Sequence, residues 1–516
     1  MRVFLFGVDG LTFRILNPLI ERGLLPNFQR VRDGGVQGVL KSTIPPMTPP
    51  AWMSIATGLP PAEHGIYDFF EYEQTEDGPR PKLVTHRKGG KAIWNILSEW
   101  GKRVIVSNVP MTYPPEPVNG IMLSGYMAPD IGSNVTYPTS FKEELLQAVP
   151  EYQIDLNPAV SAGQIGDVFT EMLQVTRERN KMLRLLLNKP WDFFFIAYTG
   201  ADRIQHLRWN SIMTFHPLAI EYYQMLDEGL GMALDALHAE DLLMIVSDHG
   251  FQGASRKFYI QEYLYRRGLL RMKDRGVRRR LELISLARNV VKWFLRALNL
   301  QWLSRRVRRQ LRNKGIMTVE KNVHAIDKLP DLNWQNTLAW VPSNSGSIAG
   351  YADIFLDDSM TEEQVSELMN ALQEIRDPQN GQVLAIEIHR EDAFGSGPFT
   401  PYQRHIVVIT GENTTLLNQL GQNSLWETGP GTMGVHHPDG VLYLYGSNVK
   451  RRITIESAHV YDVVPTILSF MGIPLPGGLA GSVIEEAFEQ PLPARSTMQG
   501  DGIVMQKLKK LASRAT

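Results

Sequence analysis

Five short motifs contain the residue types that bind divalent metal ions or act as nucleophiles. In chain order they are Gly7-Val8-Asp9-Gly10, the proline-rich loop Thr43 to Trp52 with Thr48 inside it, Asp202 to His206, Ser247-Asp248-His249-Gly250, and Gly434 to Gly440 with adjacent His436 and His437. The chain has no cysteine, which excludes disulfides, thiolate metal sites and a cysteine nucleophile. Any metal ion must therefore be held by histidine, carboxylate or hydroxyl groups.

Each motif alone has a simpler interpretation. Asp9 could be a turn aspartate, and Thr48 could be an ordinary N-cap before a helix over Pro49 to Thr57. Asp202 and His206 are four residues apart, so on a helix they share one face, as metal ligands or as a surface pair. Taken together, three aspartates, at least three histidines and a hydroxyl form a ligand set for two divalent ions.

Apolar runs that end abruptly in polar residues or glycine alternate with helix-like periodicity, which is typical of an α/β fold. The runs are Val3 to Val8, Lys102 to Ser107, Asp192 to Tyr198, Leu242 to Ser247, Ile406 to Ile409 and Val441 to Tyr445. The helical segments include Phe141 to Ala148, Val168 to Leu187, Pro217 to Leu237 and Thr361 to Arg376. Because ligands of open α/β sheets bind beyond the carboxyl ends of strands, we expect the five motifs at that edge of one sheet.

In this order and combination, the motifs resemble those of the type I phosphodiesterase and nucleotide pyrophosphatase branch of the alkaline phosphatase superfamily. The resemblance covers most of the chain and includes two further segments after the Thr48 loop, Ala56 to Pro60 and Glu63 to Ile66. It implies an α/β three-layer sandwich with a central, mostly parallel sheet and an inserted helical cap.

The resemblance also implies roles for individual residues. The metal ion that activates the nucleophile would be bound by Asp9, Thr48, Asp248 and His249, and the other ion by Asp202, His206 and His436. Thr48 would be the nucleophile. The spacing Gly434-x-His436 favours His436 over His437, and we expect His64 to be structural. The implied cofactors are two divalent ions, zinc or alternatively manganese.

The implied reaction is hydrolysis of a phosphodiester or related phosphate ester through a covalent threonyl-phosphate intermediate, with a small anionic ester as substrate. A nucleotide substrate does not carry over, because Pro49 to Trp52 replace the aromatic-proline-asparagine continuation of nucleotide pyrophosphatases. Alternatives in the same superfamily are a metal-dependent phosphotransferase, a phosphomutase and a phosphonate hydrolase. A non-catalytic protein that binds anionic lipid is a further alternative.

Length and composition are those of a folded globular protein: 516 residues, of which 43% are hydrophobic and 21% charged, with a formal net charge of -1. No uncharged apolar stretch is long enough to span a bilayer. The apolar run at the N-terminus is too short for a signal peptide, and we therefore expect a cytoplasmic protein. The oligomeric state is not predicted.

One segment is strongly basic. Between Arg266 and Lys314 there are 17 Lys and Arg residues, and only Asp274 and Glu282 are acidic. We interpret 266–315 as a basic helical insertion in a catalytic domain of residues 1–265 and 316–490, followed by a polar tail, 491–516. Leu281 to Asn299 has the pattern of an amphipathic cationic helix, expected to cap the cleft, with contact to an anionic membrane as the alternative. It contains no motif for specific nucleic acid binding.

Overall fold

The computed structural model describes residues 1–156 except 74, 76, 77 and 85, then 167–274, the single residues 276, 279 and 283, and 332–342, 350–400 and 405–492. The side chains at 430 and 431 are not described. Most of the basic segment 266–315, including all of its predicted amphipathic helix except residue 283, lies outside the described residues. So does nearly all of the polar tail.

The described part contains strands β1 (Val3–Val8), β2 (Val36–Lys41), β3 (Phe70–Glu73), β4 (Arg80–Leu83), β5 (Val104–Ser107), β6 (Gly120–Leu123), β7 (Thr136–Tyr137), β8 (Phe193–Tyr198), β9 (Leu242–Val246), β10 (Gly250–Tyr259), β11 (Ala339–Trp340), β12 (Tyr351–Leu356), β13 (Ala385–Arg390), β14 (His405–Thr410), β15 (Asn413–Leu417), β16 (Trp426–His437), β17 (Asp439–Gly446) and β18 (Ile453–His459).

Its α-helices are α1 (Phe13–Glu21), α2 (Pro26–Gly34), α3 (Thr48–Thr57), α4 (Pro61–His64), α5 (Ile93–Glu99), α6 (Phe141–Ala148), α7 (Val168–Leu187), α8 (Gly200–Met213), α9 (Pro217–Asp235), α10 (Ile260–Arg266), α11 (Glu362–Glu374) and α12 (Val463–Phe470). Helices α6 and α7 begin and end at the residues that the sequence analysis predicts. None of the helices in the described ranges combines the length and the apolar character needed to cross a membrane.

A nine-stranded sheet forms the centre of the fold, in the order β18-β2-β17-β9-β1-β8-β5-β6-β7. Only β17 and β7 run antiparallel to their neighbours, so the sheet is mostly parallel. The predicted strand Val441 to Tyr445 is part of β17, but the next element in the chain is strand β18 and not a helix. The prediction of a mostly parallel central sheet is confirmed.

Helices cover both faces of this sheet, which explains why strand β1 is apolar throughout. All six of its residues are buried, and their side chains alternate between two separate cores. Phe4 and Phe6 pack in the core that contains residues of α1, α7 and α9, whereas Val3 and Leu5 pack in the core that contains residues of α3, α5 and α12. A strand buried on both faces has no polar side to alternate with. The result is a three-layer α/β sandwich.

A second, four-stranded sheet has the order β11-β12-β14-β13 and is antiparallel throughout. The run Ile406 to Ile409, predicted as one of the strands of the α/β pattern, is part of β14 and therefore lies in this sheet and not in the central one. The sheet shares a core with α10 and α11. Its other face packs against Met47, which precedes Thr48: the Tyr351 hydroxyl donates to the Met47 sulfur over 2.8 Å. Periodicity shows that a run is a strand but not which sheet it joins.

Candidate active site

The predicted residues come together at the carboxyl ends of three adjacent central strands. Asp9 follows β1, Asp202 and His206 lie on α8 directly after β8, and Asp248 and His249 follow β9. His436 differs from the expectation of a single sheet. It lies near the end of β16, in a three-stranded sheet of the order β15-β10-β16, and faces Phe251 of β10 in the strand register.

Two glycines allow these elements to approach closely. Gly10 has φ +70°, and a Cβ atom there would lie 2.6 Å from the Phe251 ring, so a side chain would be strained and would clash. A Cβ atom at Gly434 would lie 2.3 Å from the carbonyl oxygen of Gln205 on α8. Glycine at 434 thus lets β16 lie against α8, which brings His436 to His206.

Thr48 is the first residue of α3 and is not its N-cap. Met47 occupies the cap position with extended backbone, and no side chain caps this end of the helix. The Thr48 side chain is free of a capping role, and its Oγ1 lies 3.4 Å from Nε2 of His249. The residue is only 3% exposed. A hydroxyl at the positive end of a helix is well placed to develop negative charge.

Asp202, His206 and His436, here called the Asp202 cluster, form the tighter of two groups. Oδ1 of Asp202 lies 3.1 Å from Nε2 of His206 and 3.2 Å from Nε2 of His436. The two Nε2 atoms are 2.9 Å apart. Three potential ligand atoms therefore point at one common position.

Asp9, Thr48, Asp248 and His249 form the second group, the Asp9 cluster. Nε2 of His249 lies 3.6 Å from Oδ1 of Asp9 and 3.2 Å from Oδ2 of Asp248. The other oxygen of each carboxylate is hydrogen-bonded: Oδ2 of Asp9 accepts from the Trp52 indole, and Oδ1 of Asp248 accepts from the Gly10 amide. The imidazole rings of His249 and His436 stack at 3.7 Å, so the two clusters are in contact.

Backbone carbonyls set the orientation of all three histidines. Nδ1 lies 3.0 Å from the Gly434 oxygen in His206, 2.9 Å from the Pro46 oxygen in His436, and 3.1 Å from the Gly250 oxygen in His249. A carbonyl can only accept, so each Nδ1 carries a proton and donates it. Nε2 of each ring is then available as a ligand, which is the usual arrangement of metal-binding histidines.

The donor set fits divalent cations. Asp202, His206 and His436 each offer a ligand atom within 4.8 Å of one another, and so do Asp9, Asp202 and His249. Oδ1 of Asp9 and Oδ2 of Asp248 are buried and accept no hydrogen bond within the part of the chain that the structure describes. Buried carboxylate oxygens facing unprotonated imidazole nitrogens need a cation between them. Nitrogen and oxygen ligands suit zinc and manganese.

Burial dominates the pKa values of the site. It raises the pKa of Asp9 and of Asp248 well above the usual range, and for Asp9 the negative charges of Asp248 and Asp202 add to the effect. Burial also lowers the pKa of His249 and His436. For Asp202, burial is outweighed by His206, His436 and Arg203, which bring its pKa well below the usual range.

His437 and His64, the two other histidines considered in the sequence analysis, lie outside these clusters. His437, on the same strand as His436, accepts at Nδ1 from the amide of Asp439 over 3.2 Å. His64 is buried, with Nδ1 accepting from the amide of Ile66 and Nε2 3.0 Å from the hydroxyl of Ser54. Burial lowers the pKa of His64 to about 3. The structure thus places His436, and neither of these two, beside Asp202.

Sequence reasoning missed three residues beside the clusters. Trp52, whose indole donates to Asp9 over 3.2 Å, lies four residues after Thr48 on α3, and this spacing was a usable signal. Arg203 follows Asp202 and donates to it over 2.6 Å. Asp155 is the second partner of Arg203, at 3.2 Å, and nothing in the local sequence marks it.

The fold is similar to those of solved phosphonate- and phosphodiester-cleaving proteins. The chain is similar to phosphonoacetate hydrolase from Sinorhizobium meliloti 1021 in complex with phosphonoacetate, with a TM-score of 0.54 and 16% identity over 90% of this chain and 94% of that chain. Human ectonucleotide pyrophosphatase/phosphodiesterase 5 gives a TM-score of 0.52 and 14% identity over 95% of this chain and 100% of that chain. The fold is thus alkaline phosphatase-like, as predicted.

The murine form of the second protein, solved as an inactive threonine-to-alanine variant in complex with AMP, gives a TM-score of 0.50 and 12% identity over 92% of this chain and 95% of that chain. No curated protein sequence matches the chain. The family model for type I phosphodiesterase / nucleotide pyrophosphatase matches residues 3–333, which is more than half of the chain. The protein therefore belongs to the type I phosphodiesterase / nucleotide pyrophosphatase family of hydrolases.

Proposed function

We propose that this protein is a two-metal phosphodiesterase that uses Thr48 as its nucleophile. One ion would be held by Asp9, Thr48, Asp248 and His249, and the other by Asp202, His206 and His436. The observation that carries the proposal is the convergence of these side chains around the Thr48 hydroxyl, at the N-terminus of α3. The family of the chain supplies the class of reaction.

In the first step, Thr48 Oγ1 would attack phosphorus, forming an Oγ1–P bond as the bond from phosphorus to the leaving oxygen breaks. The hydroxyl proton is released to solvent, and the departing alkoxide takes up a proton. In the second step, water attacks phosphorus, the Oγ1–P bond breaks, and the product is a phosphomonoester with Thr48 restored. Divalent ions bound here would lower the pKa of the attacking groups and stabilise charge on the leaving oxygen.

The charge of the site supports an anionic substrate. Three carboxylates against two divalent ions leave a formal charge of +1, which ionisation of Thr48 brings to zero. A diester anion would therefore meet no net repulsion. The N-terminus of α3 adds a partial positive charge at Thr48, where the phosphoryl group would lie. A structural relative that is inactive as a threonine-to-alanine variant supports the role of a threonine hydroxyl.

The proposal is tested by metal analysis of the purified protein, followed by assays with zinc or manganese on bis(p-nitrophenyl) phosphate and p-nitrophenyl phosphate. We expect two ions per chain and faster turnover of the diester. A quenched reaction should leave a phosphoryl adduct on the peptide that contains Thr48. Absence of diester hydrolysis with either metal would reject the proposal.

Phosphonate hydrolysis is the second candidate, because one of the similar structures is a phosphonoacetate hydrolase. The same clusters could in that case act on a carbon–phosphorus bond. Release of inorganic phosphate from phosphonoacetate, measured beside the diester assay on the same metal-loaded protein, distinguishes the two. Turnover of the phosphonate with none of the diester would favour this candidate.

A further inference from the structure

Arg203 lies between two carboxylates at the edge of the Asp202 cluster. Its Nη1 donates to Oδ2 of Asp202 over 2.6 Å, and its Nη2 donates to Oδ2 of Asp155 over 3.2 Å. The guanidinium also lies 4.1 Å over the ring of Tyr126. The side chain of Arg203 is 16% exposed, that of Asp155 10% and that of Asp202 2%, so solvent competes little for these contacts.

The two oxygens of Asp202 thus have different environments. Oδ1 faces Nε2 of His206 and of His436, whereas Oδ2 is hydrogen-bonded to Arg203. A guanidinium does not lose its proton in proteins, and a charge-assisted bond of this length is strong. Oδ2 is therefore occupied in every protonation state of the histidines. Because Nη2 is held by Asp155 as well, the guanidinium cannot rotate without breaking a second bond.

We propose that Arg203 is a positioning residue that fixes Asp202 through Oδ2, so that Oδ1 alone is presented to a divalent cation bound with His206 and His436. The inference rests on the proposed function, because it takes the Asp202 cluster to be a metal site. It assigns to Arg203 and Asp155 an indirect role in metal affinity: Arg203 has no lone pair for a metal, and Asp155 acts through its hydrogen bond to Arg203.

Orientation and charge have to be separated in the test. Removing Arg203 alone would leave Asp155 unpaired and would make the surroundings more negative, which by itself attracts a cation. The double variant Arg203→Met/Asp155→Asn removes the bridge and keeps the net charge of the site. A loss of metal affinity in this variant therefore reports on the orientation of Asp202.

A matched control exists on the opposite edge of the sheet. Arg103 donates to Asp192 through Nε over 3.0 Å and through Nη2 over 2.8 Å, at the amino ends of β5 and β8. The double variant Arg103→Met/Asp192→Asn makes the same chemical change away from the candidate site. It should bind metal like the unaltered protein.

The experiment is a titration of the metal-free full chain with Zn²⁺ in competition with a chromophoric chelator, with thermal unfolding of the same metal-free samples. We expect the Arg203→Met/Asp155→Asn variant to bind one of two ions about 10- to 100-fold more weakly, with the other ion unaffected. Arg203→Lys keeps the charge but cannot bridge two carboxylates. Its affinity for that ion should lie between those of the double variant and the unaltered protein. If Arg203 and Asp155 had only a structural role, the double variant would bind both ions more weakly and would also have a lower melting temperature.

Equal Zn²⁺ affinity at both sites in the folded double variant would overturn the inference and leave the proposed function standing. If the double variant does not fold, Arg203→Lys decides: unchanged affinity for both ions overturns the inference, and weaker binding of one ion supports it. If the unaltered protein binds no Zn²⁺ or Mn²⁺, the inference and the proposed metal mechanism are both wrong.

Discussion

The Asp202 cluster and the Asp9 cluster bury carboxylates in opposite electrostatic settings. Asp202 is surrounded by two imidazoles and the guanidinium of Arg203, which keep its pKa well below the usual range despite burial. Asp9 accepts from the indole of Trp52 and Asp248 accepts from backbone amides, all of them uncharged groups, and burial raises the pKa values of both carboxyls. A guanidinium is thus hydrogen-bonded to the carboxylate of the first cluster, whereas the carboxylates of the second accept only from uncharged groups.

This difference indicates how each cluster depends on a metal ion. Oδ2 of Asp202 is paired with Arg203 without any cation, so this carboxylate stays ionised in the metal-free protein. The Asp9 cluster, which includes the candidate nucleophile, becomes a set of ionised ligands only when a cation offsets the burial of two carboxylates. Removal of the metal ions should therefore change the ionisation of the Asp9 cluster more than that of the Asp202 cluster.

The largest expected effect follows from Thr48, the hydroxyl that only the Asp9 cluster contains. Thr48→Ala should lower turnover of a diester by about a thousandfold or more, as expected for a covalent nucleophile, with metal content retained. Thr48→Ser is the matched control because it keeps the hydroxyl, and it should retain part of the activity. Steady-state rates with metal analysis of both variants decide this, and near-normal turnover of Thr48→Ala would contradict a covalent mechanism.

Metal stoichiometry tests whether the clusters are separate sites. Asp202→Asn and His206→Ala should each deplete one ion, and Asp9→Asn and His249→Ala the other, with affinity losses of about 10-fold or more at the affected site. Elemental analysis after dialysis against a limiting metal buffer gives the number of ions per chain. A stoichiometry of two in both sets would show that the assignment is wrong.

The stability of the metal-free protein should depend on the carboxylate in only one of the two clusters. Asp202→Asn removes a charged acceptor from Arg203 and should cost about 1.5–3 kcal/mol of unfolding free energy. Asp9→Asn removes a carboxyl that is costly to ionise and should stabilise the metal-free protein or leave it unchanged. Denaturant unfolding in the presence of a chelator measures both, and a large loss on Asp9→Asn would erase the contrast.

The stability of the metal-free protein should depend on pH because Asp9 and Asp248 are buried. The folded-state pKa values of Asp9 and Asp248 lie above the ordinary value of 3.8, so their contribution to stability is fully present below it and is lost as pH rises through the folded-state values. The melting temperature of metal-free Asp9→Asn relative to the unaltered protein should therefore increase between pH 5 and pH 8. Saturating metal should remove this trend, because a bound cation favours the ionised carboxylates.

The smallest effect concerns the two adjacent histidines. His437→Ala should change diester turnover by less than about twofold, because its Nδ1 contacts the amide of Asp439 and the side chain lies outside both clusters. His436→Ala should deplete the ion of the Asp202 cluster. A parallel measurement of activity and metal content on the two variants is sufficient, and comparable losses in both would mean that the strand presents either histidine to the site.

The residue types and the order of the motifs were sufficient to predict the family, the central sheet and the set of candidate ligands. Strand β1 and helices α6 and α7 have the bounds that their periodicity predicts. Asp9, Asp202 and Asp248 were predictable because a parallel strand with an abrupt polar end places that end at the ligand edge of the sheet. The roles assigned to them by resemblance remain predictions.

The tertiary structure alone decided which strands share a sheet and which groups surround each carboxylate. Strand β14 joins the small antiparallel sheet, and His436 reaches Asp202 from a third sheet, because pairing between strands depends on contacts far apart in the chain. The partner of Arg203, Asp155, lies 48 residues away. Local periodicity records burial and repeat, whereas the charge around a buried carboxylate is set by long-range packing, so the contrast between the two clusters could only be read from the folded chain.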